Sequence, residues 1–267
     1  MSELYQNKNW LENKYLKEKL SSVQIGGIIK TSQPTIWNWL KRFNIPIRSI
    51  GEANHFVQGN HCNLTEKAIE WINGELLGDG CLQSSSIYSA RFNYGSKYPE
   101  YIQYVSDILK SFGIKQGGKI TKQYYKETNC YAYLYASLRY AELFSIYKKW
   151  YPDGKKIIPR DIILTPSICK QWYIGDGSLI YREKGKSYIE LATNGFSVSD
   201  VRWLVKELIE LGFRATRRPS RNTIGISTHS TKQFLDYIGS SPVECYQYKW
   251  NSDKKRDEKL CHQVGPI

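Results

Sequence analysis

No stretch of this chain approaches the roughly 18 consecutive apolar residues that a membrane-spanning helix requires. It also shows neither a secretory leader pattern nor a lipidation motif, so a spanning, anchored or exported protein is not expected. Cysteine is sparse and unpatterned: six residues, with no Cys-x-x-Cys spacing. His61-Cys62 and Cys261-His262 resemble halves of zinc sites, but no further ligands stand at usable spacing, so a structural zinc module is excluded and six reduced thiols are expected. Acid is scarce relative to base. Against 38 Lys+Arg there are 25 Asp+Glu, a net charge of +13, which points to a polyanionic partner and a compartment that holds nucleic acid, cytoplasm or organellar matrix. The length of 267 residues, with 41% hydrophobic and 14% aromatic content, suits one or two domains with a sizeable core.

Residues 1–50 read as a small all-α domain of three short helices. Trp10 to Leu20 carries Leu11, Tyr15, Leu16 and Leu20 on one side, Ser22 to Ile29 follows, and Ser32 opens a third helix through Gln33-Pro34-Thr35-Ile36-Trp37-Asn38. The short Lys30-Thr31-Ser32 connection resembles the turn of a helix-turn-helix, with Gln33, Thr35 and Asn38 placed to face bases and Ile36, Trp37 and Leu40 packing inward or supporting the turn. A purely structural bundle is the other reading. Residues 51–63 form a linker around Gly51 and Gly59, in which Asn54, His55 and Gln58, with Arg48 before it, are suited to DNA contact.

The remainder is duplicated. Ile69, Ile72, Leu76 and Leu77 recur at helical spacing and end at Gly78-Asp79-Gly80, and a second helix opening at Thr165-Pro166 ends at Gly175-Asp176-Gly177. Each closing glycine is expected to leave its helix at positive φ. Both copies continue in the order αββαββα: Ile87 to Tyr94, Pro99 to Gly113, Lys119 to Lys126 and Tyr131 to Ser137 in the first; Ser199 to Gly212, Phe213 to Pro219 and Thr223 to Ser227 in the second. Half-domains over 64–160 and 161–267, related by a pseudo-twofold axis, make an α+β fold. The seam falls on the two acid-ending helices, where Gly74, Gly78 and Gly175 permit close backbone approach and Asp79 and Asp176 emerge together. Two adjacent carboxylates repel unless a hard divalent cation such as Mg²⁺ lies between them, and such a site hydrolyses phosphodiesters. The third-strand regions are basic: Lys119, Lys122 and Lys126 in one copy, Arg214, Arg217, Arg218 and Arg221 in the other, with Arg91 on an earlier strand. Matched positive strands form two arms of a saddle for double-stranded DNA.

The paired motifs at Ile72 to Gly80 and Cys169 to Gly177 resemble those of the monomeric LAGLIDADG homing endonucleases, over roughly residues 64–250. The resemblance implies Mg²⁺ or Mn²⁺ held by Asp79 and Asp176 with the carbonyls of Gly78 and Gly175, a catalytic lysine per half at Lys156 and Lys249, and a double-strand cut at a long asymmetric site. Relatives of this kind include intron RNA maturases and helix-turn-helix regulators built on the same fold, so intron RNA and regulation stay open. Gln171 stands where the first copy has Gly74, and Cys169 replaces an aliphatic residue, so the seam is expected to be looser or more polar there.

Overall fold

The computed structural model describes residues 4–49, 60–126, 129–181 and 187–251, in two units that divide after His61. Asn54, His55, Gln58, the Arg182 to Lys186 connection and the Cys261-His262 pair lie outside the described residues.

In the first unit a 3-10 turn (Leu4–Gln6) precedes α1 (Lys8–Glu12), a π turn (Asn13–Lys17), α2 (Ser22–Ile29) and α3 (Gln33–Arg42). The expected single run from Trp10 to Leu20 is broken by the π turn, where the Glu18 amide donates to Asn13 O at 2.9 Å. The extra residue per turn keeps Leu11 and Tyr15 in the core and leaves Leu16 exposed. Ser21 caps α2 through a capping box with Gln24, and Ser32 Oγ caps α3 by accepting from the Thr35 amide at 3.3 Å. Between them Lys30 adopts φ 53°, and a Cβ on Gly26 would lie 2.6 Å from Thr31 O, so only glycine lets the turn fold back on α2. Ile36 and Leu40 bury one face of α3. That stripe puts Trp37 about 100° off the core, which corrects its inward assignment: it is exposed, with Lys41 Nζ 3.5 Å above its ring, while Trp39 packs against Phe43 and Tyr5. Arg48 is likewise spent on structure, donating to the carbonyls of Tyr15, Lys19 and Leu20.

The second unit carries the duplication. Its first half is α4 (Glu66–Leu77), β1 (Cys81–Gln83), β2 (Arg91–Ser96), α5 (Pro99–Ser111), β3 (Thr121–Tyr125), β4 (Cys130–Ala136) and α6 (Ala141–Trp150). The second half is α7 (Pro166–Asp176), β5 (Gly177–Tyr181), β6 (Ser187–Leu191), α8 (Val198–Glu210), β7 (Ala215–Arg218), β8 (Thr223–Ile226) and α9 (Thr228–Ile238), followed by a 3-10 turn over Glu244–Lys249. Two antiparallel sheets result, ordered β1-β2-β4-β3 and β5-β6-β8-β7, the saddle arrangement expected. One continuous core, including Trp150, Trp172, Tyr101, Phe92 and Phe234, runs through both halves. Among the described residues Cys62, Cys81, Cys169 and Cys245 are free thiols.

The seam helices α4 and α7 start alike, on Thr65 and Thr165 side chains that accept from Ala68 N at 3.2 Å and Ile168 N at 3.3 Å. Their glycine ends differ from expectation. Gly78 has φ −97° and Gly177 φ −84°, and Gly80 is not among the positive-φ residues. What requires glycine is proximity. A Cβ on Gly175 would sit 2.8 Å from Asp79 N and 3.0 Å from Gly78 Cα; one on Gly74 would sit 2.9 Å from both Gln171 Cβ and Ile168 Cα. Positive φ appears instead at Gly113 and Gly212, the stops after α5 and α8. Gly175→Ala is expected to destabilise the second unit by about 1–3 kcal/mol, because the clash is with backbone that cannot rotate away. Urea unfolding should show a lower midpoint at unchanged slope.

Candidate active site

The close approach of Gly78 and Gly175 brings Asp79 and Asp176 together at the ends of α4 and α7, near enough for the charge of one to act on the other. Both carboxyls are pushed above the usual carboxylate range. For Asp79 burial is the main cause, opposed by the charges of Lys249 and Lys156. For Asp176 it is burial, then the negative charge of Asp79, again opposed by the two lysines.

The lysines are held by backbone. Lys156 lies in the connection between the halves, which is pinned by buried Ile158 and by the Ile157 amide donating to Trp150 O at 2.8 Å. Its Nζ donates to Gly80 O at 3.0 Å and Gly78 O at 3.5 Å, and burial lowers its pKa against the opposing pull of Asp176. Lys249 is 2% exposed and donates to Ile174 O at 2.5 Å, Tyr173 O at 3.3 Å and Gly175 O at 3.4 Å. Each ammonium thus covers the terminal carbonyls of one motif, where the helix dipole is negative. The turn that carries Lys249 is locked across the seam: Tyr246 packs edge-on to Tyr101 at 5.0 Å and its hydroxyl is 3.2 Å from Ser96 Oγ, both in the first half.

The donor set fits a hard divalent cation. Two converging carboxylates whose protonation is favoured by burial and repulsion are relieved by a cation, and backbone carbonyls adjoin them. Among the described residues no cluster of three or more His, Cys, Asp and Glu exists. The remaining ligands would be water and phosphate oxygen, as is usual for Mg²⁺.

Behind the acids lies a buried polar group that the sequence reading did not single out. Glu75 is 0% exposed, its Oε1 accepts from the Tyr101 hydroxyl at 2.6 Å, and burial holds its carboxyl well above the ordinary range. With its nitrogen toward Glu75, the Gln171 amide donates to Glu75 Oε1 at 3.1 Å and accepts from Trp71 Nε1 at 3.2 Å. The seam on this side is therefore polar, as expected, but it is closely packed rather than loose, since Gln171 occupies the space left by Gly74. The signal was Glu75 in one motif and Gln171 in the other, each next to residues that face the seam.

The other basic residues are scattered. Gln33 and Asn38 are exposed on α3 of the first unit, whereas Thr35 Oγ1 is engaged with Ser32 Oγ at 2.8 Å. Strand alternation puts Arg91 on the sheet face away from the helices, its Nε on Gln83 Oε1 at 2.9 Å. Lys119 and Lys126 are exposed beside β3. Lys122 falls on the opposite, helix-side face, 4.3 Å over the Tyr131 ring, with Tyr133 and buried Tyr135 on the same side. In the second half Arg214 and Arg221 are exposed, Arg217 shares the parity of buried Ala215 and donates to Asn222 Oδ1 at 2.7 Å, and Arg218 faces outward, paired with Glu190.

Fold and seam together define a class: duplicated α+β proteins whose halves pack through two helices that end in acids. The family model described as the LAGLIDADG DNA endonuclease family matches residues 69–234, and the chain belongs to that family. It is 27% identical over 197 residues to the uncharacterized protein MJ1098 of Methanocaldococcus jannaschii, covering 73% of this chain and 75% of the relative. It is 25% identical over 162 residues to the cytochrome b mRNA maturase bI2 of Debaryomyces hansenii, covering 54% and 56% of the two. Among solved structures it superposes on the homing endonuclease I-WcaI bound to its DNA recognition sequence, with TM-score 0.62 and 16% identity over 78% of this chain and 96% of that one. Among the described residues, no helix is long and apolar enough to cross a membrane.

The raised acid pKa has a consequence for stability. A folded-state pKa above the unfolded value means the folded protein holds more protons in between, so metal-free stability falls as pH rises from near 4 through the folded pKa. Asp176→Asn escapes that loss. Its melting temperature should match the parent at about pH 4 and exceed it increasingly toward pH 8, and added Mg²⁺ should raise the parent more than the variant.

Proposed function

We propose that the protein is a divalent-cation-dependent, site-specific endonuclease that cuts both strands of DNA as a monomer, in the manner of a homing endonuclease. The observation that carries this is the meeting of Asp79 and Asp176 through the Gly78 and Gly175 contact, with a lysine seated on the carbonyls of each motif. One chain supplies both acids, so no second copy is needed. Asp79 and Asp176, with the Gly78 and Gly175 carbonyls beside them, would hold Mg²⁺ or Mn²⁺, which when bound lowers the pKa of water and draws charge from a phosphate oxygen. Lys156, partly exposed, orients water and offsets charge that develops on the phosphate. Lys249, buried under three carbonyls, acts through its field on the acids.

The outward faces of the two sheets supply the DNA surface. Arg91, Lys119, Arg214 and Arg218 share it, Lys126 and Arg221 flank it, and Lys122 and Arg217 lie on the opposite parity as supports. The α2-turn-α3 segment acts as a second DNA-reading unit, a helix-turn-helix whose exposed Gln33 and Asn38 stand at the start of α3.

The test is cleavage of a randomised duplex library in Mg²⁺, with selection for ends. A discrete site should emerge. Asp79→Asn and Asp176→Asn should abolish cutting while leaving binding intact, and Lys156→Met should slow it about 100-fold or more. No cut from any duplex, with tight binding to structured RNA, would replace this reading with that of a maturase. On the selected site, Gln33→Ala with Asn38→Ala should weaken binding by about 1–3 kcal/mol and relax base preference at one flank; unchanged affinity would leave the first unit a structural one.

A further inference from the structure

The second sheet holds an arginine in a geometry that its strand alone would not impose. Arg218 on β7 and Glu190 on β6 are separated by β8, and Arg218 reaches its partner by lying across Gly225. A Cβ at that glycine would fall 2.9 Å from Arg218 Nε and 3.1 Å from its Nη2. Arg218 Nη1 donates to Glu190 Oε2 and, at 3.2 Å, to the Tyr188 hydroxyl, and the guanidinium stands 4.4 Å over the Tyr188 ring. Glu190 is engaged at both oxygens, because its Oε1 also accepts from Thr223 Oγ1 at 3.3 Å. The guanidinium is therefore fixed on three sides, while Nε and Nη2 donate to nothing among the described residues. Its side chain remains 33% exposed.

Resting on the DNA-binding reading above, we propose that Arg218, buttressed by Glu190 and laid over Gly225, is a specificity-determining residue that reads one guanine in the half of the site facing the second sheet. The free edge consists of donors only. In the major groove guanine offers two acceptors side by side, O6 and N7, whereas adenine pairs an acceptor with a donor and so opposes such an edge with a like group. A phosphate also offers paired acceptors. The ion pair argues against it: with its charge balanced by Glu190, Arg218 adds little to counterion release, yet it keeps directional hydrogen bonds.

The test uses the full chain and a randomised double-stranded DNA pool. Binding selection on the parent should return a site with a required guanine, and substituting that base should lower affinity on the order of tenfold or more. Arg218→Ala should remove the preference at that position alone. Gly225→Ala should do the same, since the new methyl group meets only the end of a flexible side chain, so the fold survives while the arginine is displaced. Glu190→Gln should weaken the preference in part. An equal loss of affinity for every sequence, accompanied by a shallower salt dependence, would assign Arg218 to phosphate and overturn the proposal. So would an unchanged base profile with only a lower melting temperature. If the parent selects no duplex at all, the DNA-binding reading falls and takes this one with it; a selected site indifferent to Arg218→Ala overturns this one alone.

Discussion

Everything in the second unit depends on two glycines being able to touch. Gly78 and Gly175 bring α4 and α7 to a separation at which one added methyl group would overlap a backbone amide. A helix pair with ordinary side chains holds its axes 8–10 Å apart, and at that spacing the two acids would point into separate environments. Glycine-to-glycine contact joins the two half-cores into one, which no single four-stranded sheet with three helices could match in buried area. It also forces Asp79 and Asp176 into a shared, poorly hydrated space.

That closeness sets the electrostatics. A helix C-terminus presents unpaired carbonyls and a partial negative charge, and two of them converge here with two carboxylates. Lys156 and Lys249 answer the carbonyls directly and the carboxylates through space. The pattern is crossed: Lys249 bonds the second motif yet is the foremost charge lowering Asp79, and Lys156 bonds carbonyls of the first motif yet is drawn most by Asp176. Each lysine thereby ties the halves together. The same burial acts on Glu75, whose carboxyl it holds well above the ordinary range while Tyr101 and Gln171 bond it.

Much of this is legible in the sequence. The repeat, the element order, the capping threonines and the seam followed from periodicity and from two Gly-Asp-Gly endings, because those signals are local. What the chain alone could not disclose was geometry that depends on a partner. The glycines were read through the torsion they allow, when the requirement is the atom they lack; φ is a property of one residue, proximity a property of two. Trp37 was misplaced because a stripe of Ile36 and Leu40 fixes the helix rotation only once the core is known. The pairing of Arg218 is invisible in the sequence because its acid, Glu190, comes from another strand, separated from it by a helix.

The two halves share topology but not surface chemistry. On the outward face of the first sheet Arg91 is tied through both Nε and Nη2 to one neutral oxygen, Gln83 Oε1, which consumes the paired edge of the guanidinium and leaves its charge uncompensated. On the second sheet Arg218 is bound through Nη1 to a carboxylate, which consumes the charge and spares the paired edge. One arrangement is suited to attracting a phosphate, the other to recognising a base. The duplication preserves the strand positions while each half alters which part of an arginine is left over.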